Sequence, residues 1–363
     1  MKLTSRARRA TLATTLAIVI GGGGFAAGTA ASDSPAAAQP ASVPTTTGAR
    51  SAVATDSYAG AVRSVLPSVV LIRTASGLGS GVVLDHRGNI VTNAHVAGDA
   101  TRFQVQLTND PTPRPAKLVG SYPGGDLAVI RVDDASGLTP ATFADSGQVQ
   151  AGDVVLAVGN PLGLSASVTQ GIVSATGRVV SEPATAGTLG TAHPGTTLPG
   201  TIQTSAPINP GNSGGALVNT AGAVLGIPTL AATSAQGGGQ AQGIGFAIAS
   251  NTARDIASQL IKSGHVTNSH RAALGARVAT AAGADGQPAG VGVAAVTQGG
   301  PADRAGLEAG DILTQVGATP TPDTTALAQA LASDHPGQSV TVTFVRDGQH
   351  HTAQVTLGTL PGA

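Results

Sequence analysis

The sequence predicts a mainly all-β protein, on three observations. From Ser68 onward the apolar residues come in short runs rich in Val, Ile and Leu. Gly, Pro, Asn and Asp separate the runs, and Gly (51 positions) and Pro (22 positions) are abundant throughout. Short strands at that spacing build a sandwich or a barrel. The first runs fall at Val69 to Ile72, Gly81 to Leu84, Asn89 to Thr92, Phe103 to Leu107, Leu127 to Val132, Val154 to Val158 and Gly171 to Ser174. One helical period interrupts them: Ala253, Ile256, Ala257 and Leu260 lie at i, i+3, i+4 and i+7, with Ser250 or Asn251 placed to cap the start and Gly264 to stop the end. That helix is core packing and carries no chemistry.

Ahead of the strands the chain is of another kind. Lys2, Arg6, Arg8 and Arg9 precede an uncharged stretch from Ala10 to Ala31 that ends in small residues. The layout is that of a secretory signal, cleaved before Ser32, or of a retained membrane anchor. Either places the remainder outside the cytoplasm, secreted or held at the membrane. Residues 32–56 are mostly Ala, Pro, Ser and Thr and are expected to form a disordered linker.

Composition excludes several functions. Nineteen Lys+Arg balance 19 Asp+Glu, and the aromatics are five Phe and two Tyr with no Trp, so neither charge nor stacking favours nucleic acid. Without Cys there are no disulfides, thiolate metal sites or thiol catalysis. Lys2, Lys117 and Lys262 do not follow Gly, which excludes a Gly-Lys-Ser/Thr phosphate loop. No cofactor and no metal are expected. His350-His351 does not change this, because adjacent strand residues face opposite ways.

The chemistry centres on Gly211-Asn212-Ser213-Gly214-Gly215. Glycines on both sides of a Ser allow a tight turn that aims two N–H groups at one point, as an oxyanion requires. The same letters satisfy the G-x-S-x-G elbow, which demands a helix after the Ser and then Asp and His downstream. Here a hairpin is expected instead, with Ala216 to Val218, a turn at Asn219 to Gly222, and Ala223 to Ile227. His95, after a strand, and Asp126, before one, lie upstream, and the order His, Asp, Ser is that of a chymotrypsin-type triad.

With these residues in place the sequence resembles the HtrA family of trypsin-like serine proteases. The resemblance is carried by Gly79-Ser80-Gly81-Val82-Val83-Leu84-Asp85, Thr92-Asn93-Ala94-His95-Val96, the run from Asp126 to Val132, the run from Gln203 to Leu217, and Gly243-Ile244-Gly245-Phe246-Ala247-Ile248. It implies a chymotrypsin-like double β-barrel over residues 57–264. Ser213 would be the nucleophile, His95 the base and Asp126 its orienting carboxylate, with the Gly211 and Ser213 N–H groups as oxyanion hole. Asn212 stands where trypsin-like zymogens carry an activating acid, so no proteolytic zymogen switch of that type is expected. Pro207 occupies the place of the trypsin specificity acid, and Gly226-Ile227 follow the next hairpin. With no charge there, the substrate pocket of Pro207, Gly226 and Ile227 is expected to take small or medium aliphatic residues.

Residues 270–360 look like a PDZ domain of the HtrA type, on the run Gly300-Pro301-Ala302-Asp303-Arg304-Ala305-Gly306-Leu307-Glu308-Ala309-Gly310-Asp311-Ile312-Leu313. Such domains take an extended C-terminal peptide as an added strand beside a helix. By match, Ala273, Leu274 and Gly275 would receive the carboxylate, and Thr324, Ala328 and Leu331 would line the groove. The implied activity is ATP-independent endoproteolysis of unfolded or damaged extracytoplasmic proteins through an acyl-enzyme. The alternative is a latent or inactive protease fold acting as a peptide-binding or chaperone module. The family also implies a homotrimer built through N-terminal aromatics, for which Tyr58 is the one available.

Overall fold

The continuous apolar runs of the first half, with little alternation, mark strands buried on both faces. The computed structural model describes residues 52–75, 77–160, 167–182, 196–209, 211–233, 240–283 and 286–362. The expected signal or anchor segment lies outside them, and no described helix is long and apolar enough to cross a membrane.

Helix α1 (Ala52–Val65) leads into β1 (Val69–Arg73), β2 (Leu78–Val83), β3 (Asn89–Thr92), α2 (Ala94–Ala97), β4 (Arg102–Leu107), β5 (Asp110–Tyr122) and β6 (Leu127–Val132). Residues 52–56, assigned to the linker by composition, are therefore helical, because Ala61 and Val65 further along α1 have a core to pack on. The six strands close in the order β1-β2-β3-β6-β5-β4. Val70, Ile72, Val83, Ile90, Ala128 and Ile130 fill the barrel. Val69, Val82, Val91, Leu127 and Val129, one residue out of phase, enter a second core outside it.

That second core is shared with another closed barrel, ordered β10-β11-β12-β9-β8-β7. Its strands are β7 (Val154–Gly159), β8 (Ser167–Glu182), β9 (Thr196–Thr204), β10 (Ala216–Val218), β11 (Val224–Thr233) and β12 (Gln240–Ala249). The same phase rule holds: Val155, Ala157 and Leu217 point inward, whereas Leu156, Val158, Ala216 and Val218 join the shared core. Helix α3 (Ser250–Ser263) seals that core with Ala253, Ile256, Ala257 and Leu260, and Gly264 ends it at φ 77°. Its start departs from expectation. Ala249 is the N-cap, without a side-chain cap; the Ser250 hydroxyl donates to the Ala144 carbonyl at 2.7 Å and the Asn251 amide to Asp145 at 2.6 Å. Both polar side chains tie the helix to the loop before β7 instead.

The remaining chain forms β13 (Ala272–Ala273), β14 (Ala276–Ala282), β15 (Pro288–Val296), α4 (Pro301–Arg304), β16 (Ile312–Val316), β17 (Thr319–Pro320), α5 (Thr324–Ala332), β18 (Ser339–Arg346), β19 (Gln349–Thr356) and β20 (Gly358–Thr359). Asp323 caps α5 by accepting the Ala326 N–H at 2.8 Å. The expected hairpin at Asp347-Gly348 joins β18 to β19 with both turn residues at positive φ, 50° and 77°, as a primed two-residue turn requires. Asp311, 1% exposed, accepts Arg346 Nε at 2.7 Å, Arg346 Nη2 at 2.8 Å and the Glu308 N–H at 2.8 Å. Burial alone would raise its carboxyl, but the Arg346 guanidinium and the Glu308 N–H outweigh that and hold it below the ordinary carboxylate value.

Candidate active site

The turn around Ser213 is pinned on every side. The Asn212 N–H donates to the Asn209 carbonyl (3.0 Å), Gly214 N–H to Pro228 (3.0 Å) and Gly215 N–H to Asn212 (2.9 Å). The Gly211 and Ser213 N–H groups donate no hydrogen bond among the described residues. They are the two groups the sequence assigns to an oxyanion, and Gly211 sits at φ 104°. Gly214 has no alternative: at φ 79°, a Cβ there would fall 2.2 Å from the Ser80 carbonyl oxygen and 2.4 Å from Thr92 Oγ1. The chain after the turn is the β10–β11 hairpin, so the elbow reading is excluded by its own requirement for a helix.

The other two groups come from the first barrel. His95 lies in α2, three residues past the end of β3, and Asp126 immediately precedes β6 in a left-handed conformation (φ 50°). The His95 Nδ1–H faces both carboxylate oxygens, at 3.0 and 2.9 Å, and the His95 backbone N–H donates to Oδ1 at 3.0 Å. This fixes the tautomer that leaves Nε2 without a proton, able to accept one. The Asp126 side chain is 9% exposed and that of His95 41%, so the carboxylate is shielded and the imidazole reachable. The Thr229 hydroxyl, on β11 of the second barrel, donates to Asp126 Oδ2. The Thr229 carbonyl lies 3.4 Å from the Ser213 hydroxyl. Thr229 thus ties the carboxylate of one barrel to the serine of the other.

Two domains of the chain match known families. Residues 79–227 match the trypsin-like peptidase domain and residues 267–357 the PDZ domain. Serine endoprotease DegS of Salmonella typhimurium is 36% identical over 323 residues, covering 85% of this chain and 87% of DegS. The chain belongs to the HtrA family. Serine protease PepD of Mycobacterium tuberculosis is 40% identical over 311 residues, and the HtrA chain, 81% of it aligned, spans 64% of PepD's length. A solved serine endoprotease from Yersinia pestis has a TM-score of 0.54 at 36% identity, covering 84% of this chain and 98% of that one. The HtrA-type protease AlgW with a decapeptide gives 0.55 at 33%, with 84% and 99% covered.

Within this HtrA frame the expected pocket residues divide. Pro207 is exposed, and its carbonyl accepts from Thr169 Oγ1 at 2.7 Å and from Asn212 Nδ2 at 3.3 Å. Gly226 is hemmed by the Ile248 carbonyl, 2.7 Å from where a Cβ would stand. Ile227 corrects the expectation: its side chain is fully buried in the core shared by the barrels. Strand alternation turns Ile227 toward that shared core and delivers Thr229, two residues on and on the same face, to Asp126.

The six expected PDZ residues do come together. Ala273, Leu274, Gly275, Thr324, Ala328 and Leu331 line one cavity of about 340 Å³ between the start of the domain and α5. Sequence reasoning missed Thr229, Ser80 and Asn93, whose amide donates to the Asp126 carbonyl at 3.0 Å. Ser80 and Asn93 lie inside the quoted segments, and Thr229 stands two residues past Ile227. Nothing local distinguishes them, since the bonds of Asn93 and Thr229 to Asp126 and of Ser80 to Gly211 span 33 to 131 residues. Among the described residues no group of three or more His, Asp or Glu could hold a metal ion.

Proposed function

We propose that this HtrA protein is an ATP-independent endopeptidase that cuts unfolded or damaged extracytoplasmic proteins through an acyl-enzyme. The observation that carries the reading is the His95 Nδ1–Asp126 contact at 2.9 Å, with Thr229 joining Asp126 to the serine of the other barrel. Ser213 Oγ attacks the scissile carbonyl carbon while His95 Nε2 takes its proton. The negative charge on the carbonyl oxygen is received by the Gly211 and Ser213 N–H groups. His95 returns the proton to the leaving amine nitrogen, the C–N bond breaks, and an ester on Ser213 remains. Water, deprotonated by the same His95, then hydrolyses that ester and restores the serine. The Asp126 carboxylate, bonded to Nδ1, stabilises the imidazolium formed in each half.

The absence of a charged residue at Pro207 and along Gly226-Ile227-Pro228-Thr229 supports cleavage after small or medium aliphatic residues. The cavity at Ala273, Leu274, Gly275, Thr324, Ala328 and Leu331 supports capture of C-terminal peptides by strand addition. The test is casein hydrolysis by the compact unit from Arg50 to Ala363, beside Ser213→Ala. Loss of the nucleophile is expected to lower the rate by about 10⁴ to 10⁶. Equal activity in the two proteins would overturn the assignment, and a peptide library cut mainly after Lys, Arg or Phe would overturn the specificity.

A further inference from the structure

We propose that the Ser80 hydroxyl is a positioning residue that holds the oxyanion turn in its working conformation. The inference rests on the proteolytic reading above and concerns how that site is kept assembled.

Ser80 lies in β2 of the first barrel, 0% exposed, and every polar group it has is committed. Its hydroxyl donates to the Gly211 carbonyl at 2.6 Å and accepts the Asn160 N–H, just past the end of β7, at 2.8 Å. Its backbone N–H donates to the Ser213 carbonyl at 3.0 Å, and its carbonyl accepts the Thr92 hydroxyl at 2.6 Å. One residue of the first barrel therefore grips the nucleophile turn twice.

Three successive peptide planes define that turn. In the Gly211–Asn212 plane, the carbonyl is held by Ser80 Oγ and the N–H by the Asn209 carbonyl. In the Asn212–Ser213 plane, the carbonyl accepts the Gly215 N–H, and the Ser213 N–H is the group offered to an oxyanion. In the Ser213–Gly214 plane, the carbonyl is held by the Ser80 N–H and the N–H by Pro228. Any side chain supplies the backbone bond in the third plane; the bond in the first needs a hydroxyl. Gly211, at φ 104°, is a residue with little intrinsic preference for that conformation, so its carbonyl anchor is what selects it. Ser80→Ala would take the hydroxyl donor away from the partly buried Gly211 carbonyl, and turning that peptide to find a new donor moves the neighbouring N–H groups.

The test uses the full chain with a chromogenic peptide that the wild type cleaves and a peptidyl boronate of the same sequence. For Ser80→Ala, kcat is expected to fall about 10- to 100-fold, below the 10²- to 10³-fold typical of deleting an oxyanion donor outright. KM should stay within about twofold, and boronate affinity should drop by the same factor as kcat. Ser80→Cys, which keeps a weak donor at similar volume, should recover part of both, and it carries the same test if Ser80→Ala fails to fold. A kcat within about twofold of wild type overturns this inference alone. So does a loss confined to KM with boronate affinity unchanged. A wild type that cleaves neither peptide nor casein overturns the proteolytic reading, and this inference with it.

Discussion

Asp126 and Asp311 are both buried carboxylates, 7% and 1% exposed, in the protease and PDZ domains respectively. They are satisfied by different means. Asp311 meets a guanidinium squarely, with two Arg346 nitrogens at 2.7 and 2.8 Å, and so forms a closed pair whose product is cohesion between β18 and the segment before β16. Asp126 pairs with no Lys or Arg among the described residues. Its donors are the His95 ring, the His95 backbone and Thr229, which hold the charge in place without cancelling it. A carboxylate held that way can respond when the imidazole becomes positive; one clasped by Arg cannot.

The contrast can be broken at three points. The largest effect is expected from Arg346→Gln, which strands a buried carboxylate and should destabilise the PDZ domain. Hydrogen exchange over β18 and β19, followed in the full chain, is the measurement. The pH dependence has a definite sign. Because the folded-state value of Asp311 is depressed, its contribution is present above the unfolded value of about 4 and is lost as pH falls below it. That acid loss of protection should flatten in Arg346→Gln.

Thr229→Val comes next. It keeps the volume and removes a donor to Asp126, for an expected fall in kcat of about 10- to 30-fold, or about 1.4 to 2 kcal/mol, with KM and melting temperature little changed. A fall in melting temperature matching that of Arg346→Gln would erase the distinction between the two aspartates. The smallest effect is expected from Leu331→Asp, which puts a charge in the wall of the PDZ cavity. The affinity of a labelled decapeptide with an apolar C-terminal residue, read by fluorescence anisotropy, should weaken about tenfold.

Much of this was legible in the sequence where physical constraint is local. Strands β1, β2, β3, β6 and β7 appear as apolar runs because each is buried on two faces, and the PDZ hairpin is announced by Asp347-Gly348. β5 was not legible: Pro111, Pro113 and Pro115 argue against a strand. They fall at alternate positions in the stretch of β5 paired with β4, and the Pro115 carbonyl turns away to accept from Asp133. The start of α1 was hidden because Ala, Thr and Ser give no helical stripe until the core beside them exists. In the site, His95, Asp126 and Ser213 could be found because motif and order constrain them. Ser80 and Thr229 could not, because their partners Gly211 and Asp126 lie on the other barrel; Ile227 was misread because the strand face that enters the shared core is defined only once the barrels meet.

The division of the site between barrels bears on when the protein can act. A chain made from its N-terminus acquires His95 and Asp126 with the first barrel, but Ser213 and Thr229 gain their positions only after β12, ending at Ala249, has paired with β9 and β11. Until then no fragment contains a complete set of reacting groups in register. On the proposed reading, a chain whose second barrel has not yet closed is expected to be inactive, and closure of that barrel would be the step that completes the site.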